Sequence, residues 1–410
     1  MRLGLALSGG GSRAAAFHRG TLRGLAELRL LEELDVVSTV SGGSVFAAAW
    51  MAARWKGLSL ESFLERIGSE LAHGFIARSI NWRALKLLMP SYTRSNLLAE
   101  TFDRAMMHGM TLQDLPERPS LCMNATVMNT GQVGRFSREG FSSTGIRPPA
   151  ADPGSNPMVA LPGFPIAHAA AASAAFPIGL PPVYLLRGKD IPKDWGEGSV
   201  ASHRRLALTD GGVLENLGVQ TLLKSKRFGA WDIILSDAGL RDPGWEAGGL
   251  GKYLRGLCMG LLSLPVIERV TVMMSDKQDR HMRVGAFDEM ERSWLVSALR
   301  AGQRSAGVED YLNTRPTLRP RRVLFMRVNQ TLRQVMSTIP AWRRAEVAGA
   351  DLSPAIAMHN QLGGDARIDE LNRIPTGFGK LSRQDINDLE LHARWQVHAM
   401  HAIYWDRTGV

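Results

Sequence analysis

Three short apolar runs each end in a glycine-rich turn and pass into helical composition, and this alternation constrains the fold more than any other feature. Residues 3–8 stop at Gly9-Gly10-Gly11, residues 36–40 at Ser41-Gly42-Gly43, and residues 206–209 at Asp210-Gly211-Gly212. After the first turn, Arg13 to about Leu30 carries Leu22, Leu25, Ala26 and Leu28 at helical spacing. Residues 44–54 follow the second turn, and a helix is predicted from about Glu215 after the third. Short apolar runs bounded by turns suit strands buried on both faces, whereas the 3.6-residue spacing suits amphipathic helices. Strand, turn, helix, strand, turn, helix is the order of a parallel α/β sheet.

The remaining chain extends this pattern. Residues 121–129, 134–137, 231–236 and 323–328 read as strands. Residues 58–108 have irregular helical composition, 142–165 form a long loop rich in Pro, Gly, Ser and Ala, and 167–175 form an alanine-rich helix. Helices are also predicted at 250–274, 289–302 and 382–404, the last capped by Ser382. No repeat, low-complexity tract or clear linker divides the chain. Residues 1–240 are expected to form the core, with 241–410 a mainly helical elaboration of the same domain.

Composition excludes several classes. Of 410 residues, 45% are hydrophobic and 21% charged, which suits a globular protein and not a disordered one. Two cysteines, Cys122 and Cys258, both among apolar neighbours, rule out a disulfide framework or a cysteine-rich zinc site and are expected to be reduced and buried. The most apolar late stretch, residues 256–267, falls short of the ~20 residues a membrane-spanning helix needs. Lys plus Arg number 49 against 39 Asp plus Glu, a net charge of +10 that suits an anionic partner. The arginines are dispersed and no nucleic-acid-binding motif is present, so nucleic acid is not expected.

In an open α/β sheet, ligands bind at the carboxyl ends of the strands, where all three turns lie. Ser41, flanked by Thr39-Val40 and Gly42-Gly43, resembles a nucleophile elbow, a tight strand-to-helix turn that exposes a hydroxyl. The position two before such a serine is usually glycine, and here it is Thr39. Gly9-Gly10-Gly11-Ser12-Arg13 can aim backbone N–H groups into one concavity at a helix start, a nest for a phosphate or an oxyanion. A dinucleotide reading fits the spacing of Gly9, Gly11 and Ala14, but its acid should end the second strand, and Asp35 precedes that strand. Asp210 before two glycines places a carboxylate on a third sharp turn; taken alone, an Asx turn explains such a pair as well. His18, His168, His203 and His281 are the histidines a Ser–His–Asp triad would draw on, but none ends a predicted strand. No metal-ligand spacing is present.

Gly-Gly-Gly-x-Arg, then Ser-Gly-Gly, then Asp-Gly-Gly, in that order, resembles the patatin-like phospholipase family. Residues 171–177 with Pro181-Pro182-Val183, residues 214–218 and residues 236–239 look like further blocks of that family, so the resemblance spans Leu5 to about Gly239. It implies a three-layer α/β/α fold with a central, mostly parallel sheet and added helices. It also implies a lipid acyl hydrolase of phospholipase A or lysophospholipase type, working without cofactor or metal. Ser41 would attack the ester carbonyl and form an acyl-serine intermediate, and Asp210 would act as its base. Gly9, Gly10, Gly11 and Ser12 would surround the oxyanion, with Arg13 ordering their loop. Thr39, Val40, Gly42 and Gly43 would shape the elbow. The expected partners are a lipid ester and, peripherally, an anionic membrane, in a cytoplasmic setting. A non-catalytic membrane-associated or regulatory protein that keeps the fold is the alternative, and Thr39 is its main support.

Overall fold

The computed structural model describes residues 2–239, 280–290, 322–339 and 350–405, apart from 80–81, 90–91, 153–154, 178, 197–200, 287, 289 and 338. The helices predicted at 250–274 and 289–302, and Cys258, lie essentially outside these residues. Five strands form a parallel core: β1 (Leu3–Leu7), β2 (Leu34–Val40), β3 (Ser120–Val127), β8 (Asp232–Asp237) and β9 (Val323–Arg327), in the spatial order β3-β2-β1-β8-β9. β4 (Gln132–Ser137) and β5 (Gly140–Ser143) extend the β3 side antiparallel, and β6 (Val183–Leu186) pairs with β7 (Arg205–Asp210). The result is a nine-stranded, mostly parallel sheet between helical layers, a three-layer α/β/α fold.

The strands of the core are buried along almost their whole length, as covered parallel strands must be. β–α–β crossovers carry the chain through α1 (Gly11–Glu27) from β1 to β2 and through α2 (Gly42–Trp55) from β2 toward β3. The other helices in chain order are α3 (Leu60–His73), α4 (Phe75–Ser79), α5 (Arg94–Phe102), α6 (Ile166–Ser173), α7 (Val219–Lys224), α8 (Leu332–Ser337), α9 (Ser353–Leu362), α10 (Gly364–Asn372) and α11 (Arg383–Tyr404). α7 packs on β1 and β2, and α11 lies along α1. The second pairing is close because Gly20 presents no side chain: a Cβ there would come within 1.9 Å of the Glu390 carbonyl oxygen. Glu390 of α11 in turn pairs with Arg19 and Arg23 of α1 at 2.8 and 2.9 Å.

The predicted strands recur within two or three residues of their expected ends. The helix expected from about Glu215 begins instead at Val219, because Gly211–Val213 forms a 3₁₀ turn first. Glu215 itself accepts backbone N–H bonds from Leu217 and Gln220 at 2.7 and 3.2 Å, so it caps that helix from outside. The expected loop at 142–165 hides part of β5 and a bridge between Phe141 and Val159. Ser382 caps α11 as expected, accepting the Asp385 N–H. Cys122 is a free, buried thiol, and burial pushes its pKa up to about 12.

β3 acts as the ruler that brings distant turns together. Its 120–124 stretch pairs with β2, ending at Val40 opposite Asn124, and β4 occupies its other edge. β7 takes over the edge that β2 vacates, arriving antiparallel with Asp210 opposite Ala125. Ser41, the residue after Val40, and Asp210 therefore meet from opposite directions at neighbouring positions of one strand. The register of β1 places Leu7 between Thr39 and Ser236, so the glycine turn after β1 stands beside the elbow.

Candidate active site

Ser41 has φ 50° and ψ −120°, a conformation that a side-chain-bearing residue rarely adopts and that such sites hold at a cost of about 1–3 kcal/mol. Surrounding structure enforces it. Ser41 is the N-cap of α2, and its carbonyl accepts N–H bonds from Ser44 and Val45. Gly42 makes the approach of the first turn feasible, since a Cβ there would lie 2.6 Å from the Gly11 nitrogen. The positive φ falls on Ser41 and not on Thr39, which stays within β2. Thr39 thus occupies a regular strand position, where its branched side chain causes no strain in the turn.

A buried chain of hydroxyls braces the elbow from behind. Thr39 Oγ1 lies 2.8 Å from Ser44 Oγ, which lies 2.8 Å from Ser173 Oγ, and Ser173 donates to the Asn124 carbonyl oxygen at 2.5 Å. Ser173 Oγ also accepts the backbone N–H of Ser41 at 3.0 Å. α6 supplies this serine, and the same segment receives the Asp210 N–H at the Ala175 carbonyl. Asn124 donates its side-chain amide to Ser38 Oγ and to the Thr39 carbonyl, both at 3.0 Å, which fixes the end of β2. Ser173 and Asn124 are the site-supporting residues that the sequence reading assigned no role.

Ser41 Oγ donates to Asp210 Oδ2 at 2.7 Å, and the Gly212 N–H donates to Asp210 Oδ1 at 2.7 Å. Ser41 is 8% exposed and Asp210 3%. Burial raises the Asp210 pKa to about 6, with the bonds from Ser41 and Gly212 pulling the other way. The carboxylate is therefore a stronger base than a solvated aspartate while remaining ionised near neutrality.

The glycine turn splits into two kinds of amide. Gly9 N–H is spent on the Asn216 carbonyl at 2.9 Å, and Ser12 N–H on the Gly377 carbonyl at 2.9 Å. Gly10 and Gly11 N–H have no hydrogen-bond partner among the described residues. Of the four residues expected around the oxyanion, Gly9 and Ser12 thus have their amides engaged elsewhere, and Gly10 and Gly11 do not. Arg13 is fully buried and donates to the carbonyls of Asn372, Ile374 and Ala238 at 3.1, 3.0 and 2.9 Å, a role in ordering the loop. The amino ends of α1 and α2 both lie at this spot, and their dipoles favour developing negative charge.

No histidine among the described residues is hydrogen-bonded to Ser41 or Asp210. His18 lies behind the glycine turn, its Nδ1 2.8 Å from Ser236 Oγ and its Nε2 3.0 Å from the Ser8 carbonyl oxygen, and burial lowers its pKa to about 4. A neutral ring that donates from Nε2 and accepts at Nδ1 fits both partners. His168 packs edge-on against Phe164 and caps no helix, while His203 and His281 are exposed.

Among curated proteins, no sequence matches this chain. Among solved structures, human GIVD cytosolic phospholipase A2 is similar at 13% identity and a TM-score of 0.40, over 57% of this chain and 45% of that one. The same human enzyme in complex with methyl gamma-linolenyl fluorophosphonate is similar at 14% identity and a TM-score of 0.47, over 98% and 59%. VipD from Legionella pneumophila is similar at 11% identity and a TM-score of 0.28, over 99% and 92%. The chain thus spans less than two thirds of the human enzyme. The family model for patatin-like phospholipase matches residues 5–223, more than half of the chain and every strand-end turn just described. The chain belongs to the patatin-like phospholipase family.

Proposed function

We propose that this protein hydrolyses carboxylic esters of lipids through a Ser41–Asp210 dyad. The observation that carries the reading is the 2.7 Å hydrogen bond from Ser41 Oγ to a buried carboxylate, beside two unpaired amides. Ser41 Oγ attacks the ester carbonyl carbon as its proton passes to Asp210 Oδ2. The carbonyl oxygen becomes an oxyanion, which the Gly10 and Gly11 N–H groups stabilise; one such donor commonly contributes roughly 2.7–4 kcal/mol to the rate. Collapse breaks the ester C–O bond, and Asp210 returns the proton to the departing alcohol. Water then attacks the acyl-Ser41, losing a proton to Asp210, and as the bond to Ser41 Oγ breaks Asp210 returns that proton to Ser41 Oγ, freeing the fatty acid and restoring the dyad. Phospholipid, lysophospholipid and neutral glyceride are the substrate classes, met at an anionic lipid surface.

The non-catalytic alternative loses its main support, since Thr39 sits in the strand without disturbing the elbow. Labelling with a fluorophosphonate serine probe, alongside lipid-ester hydrolysis, tests the reading. Wild type is expected to label and turn over. Ser41→Ala should do neither, and Asp210→Asn should lose at least about 100-fold in both, the usual scale of a general base. Wild-type protein that neither labels nor hydrolyses any ester would overturn the proposal.

A further inference from the structure

Residues 372–379 lie beyond the matched family region, carry no chemical motif, and run from the last residue of α10 into the irregular link to α11. Their backbone carbonyls nevertheless converge on the glycine turn. Asn372 and Ile374 accept from the Arg13 guanidinium, Gly377 accepts the Ser12 N–H, and Gly379 accepts from Ser12 Oγ at 2.8 Å. The contact is tight: a Cβ on Gly11 would stand 2.3 Å from both the Thr376 and the Gly377 carbonyl oxygens. The same Arg13 reaches Ala238 after β8, so one buried side chain ties the turn, the sheet and this stretch together.

The stretch is anchored from its far side. Phe378 packs edge-on against Phe75 and Phe102 at ring separations of 6.3 and 5.6 Å. Ile76 N–H donates to the Phe378 carbonyl at 3.3 Å, and Leu381 N–H to the Leu71 carbonyl at 3.0 Å. It is therefore held between α3–α4 and the start of α1.

We propose that residues 372–379 are a positioning strap that holds the Gly10 and Gly11 amides toward Ser41, making the C-terminal part of the chain a component of the catalytic apparatus. The inference rests on reading those amides as oxyanion donors. Consuming the neighbouring Ser12 N–H fixes the peptide planes on which the two free donors depend. Arg13 suits the purpose better than a point charge would, because its planar fork reaches three carbonyls at once.

Phe378→Ala releases the strap without touching the glycine turn. It is expected to lower kcat by about 10-fold, with KM within about two-fold of wild type, as for an interaction made only in the transition state. Fluorophosphonate labelling should slow in proportion while reaching the same final stoichiometry, which separates slower sites from unfolded ones. Phe378→Leu should recover most of the rate. Gly163→Ala, outside the strap and with open space around its Cβ, should behave as wild type. Should Phe378→Ala fail to fold, Arg13→Lys, which keeps the charge and loses the fork, carries the same kinetic test.

Amide hydrogen exchange over residues 8–14 gives a readout independent of turnover, with faster exchange expected in Phe378→Ala and wild-type exchange in Gly163→Ala. Unchanged kcat, or unchanged exchange in Phe378→Ala, would overturn the strap. Exchange that responds in a protein with no esterase activity would overturn the dyad reading and leave the strap's hold on the turn standing.

Discussion

Asp210 takes both its chemistry and its cost from one fact, the burial of its carboxylate. The group must be ionised to accept the Ser41 proton, so kcat/KM is expected to rise with pH through an apparent pKa of about 6 and then level off. The stability effect has the opposite sign. A carboxyl whose folded pKa lies above its unfolded value favours folding while protonated, and that contribution fades as pH rises from about 4 through about 6. Above that window the buried charge weakens the native state, on the order of 2–3 kcal/mol for a shift of this size. Asp210→Asn is therefore expected to be inactive yet more stable than wild type at pH 7.5, with the difference shrinking toward pH 4. Urea unfolding at the two pH values checks this. An asparagine variant less stable than wild type at pH 7.5 would show that the Ser41 and Gly212 hydrogen bonds outweigh desolvation.

At the scale of elements, α6 does more than cover the sheet, because its last residue supplies the acceptor for the Ser41 amide. Ser173→Ala would leave that buried N–H without a partner and cut the chain of hydroxyls from Thr39 to Asn124. The expected cost is about 1–3 kcal/mol of stability, with kcat falling more than KM changes as the elbow relaxes. Thermal unfolding together with steady-state kinetics checks both parts, and a variant with unaltered stability and rate would remove Ser173 from the site. The elements that the sequence discloses well are those whose burial is two-sided: β1, β2 and β8 are continuous apolar runs cut by glycine, so pattern and turn agree. β5 and β6 were missed because four-residue strands, Gly-Phe-Ser-Ser and Val-Tyr-Leu-Leu, are too short to show a period. Ser41, Asp210 and the glycines were legible because tight turns demand particular residue types. Ser173 lies in the 171–177 block that carries the family resemblance, but nothing in an alanine-rich helix discloses its bond to the Ser41 amide. The strap left no trace either, because it works through carbonyls, which every residue carries.

For the whole molecule, the proposed function raises the question of how a buried dyad would meet a lipid. No described helix is long and apolar enough to cross a membrane. Between α4 and α5, however, a 3₁₀ segment (Trp82–Leu88) leaves Leu85 67% and Leu88 83% exposed, with Met89 beside them and Ile76 exposed on α4. Large apolar side chains clustered in this way mark a contact surface. Within the predicted helical region 58–108, α3 and α5 bury their apolar faces, whereas this short segment and Ile76 turn outward. At an anionic leaflet, the net charge of +10 would supply long-range attraction and the exposed leucines short-range insertion. The two contributions respond differently to conditions, since Debye screening at 0.15 M salt confines the first to about 8 Å and leaves the second untouched. Sedimentation with phosphatidylcholine vesicles, with and without phosphatidylglycerol, should therefore show binding that grows with anionic content and weakens with added salt. The double variant Leu85→Asp, Leu88→Asp should lose at least about 10-fold in vesicle affinity at low salt while hydrolysing a monomeric soluble ester at the wild-type rate. Binding indifferent to lipid charge and salt would discard the electrostatic part, and a double variant that binds as wild type would move the lipid contact to another face.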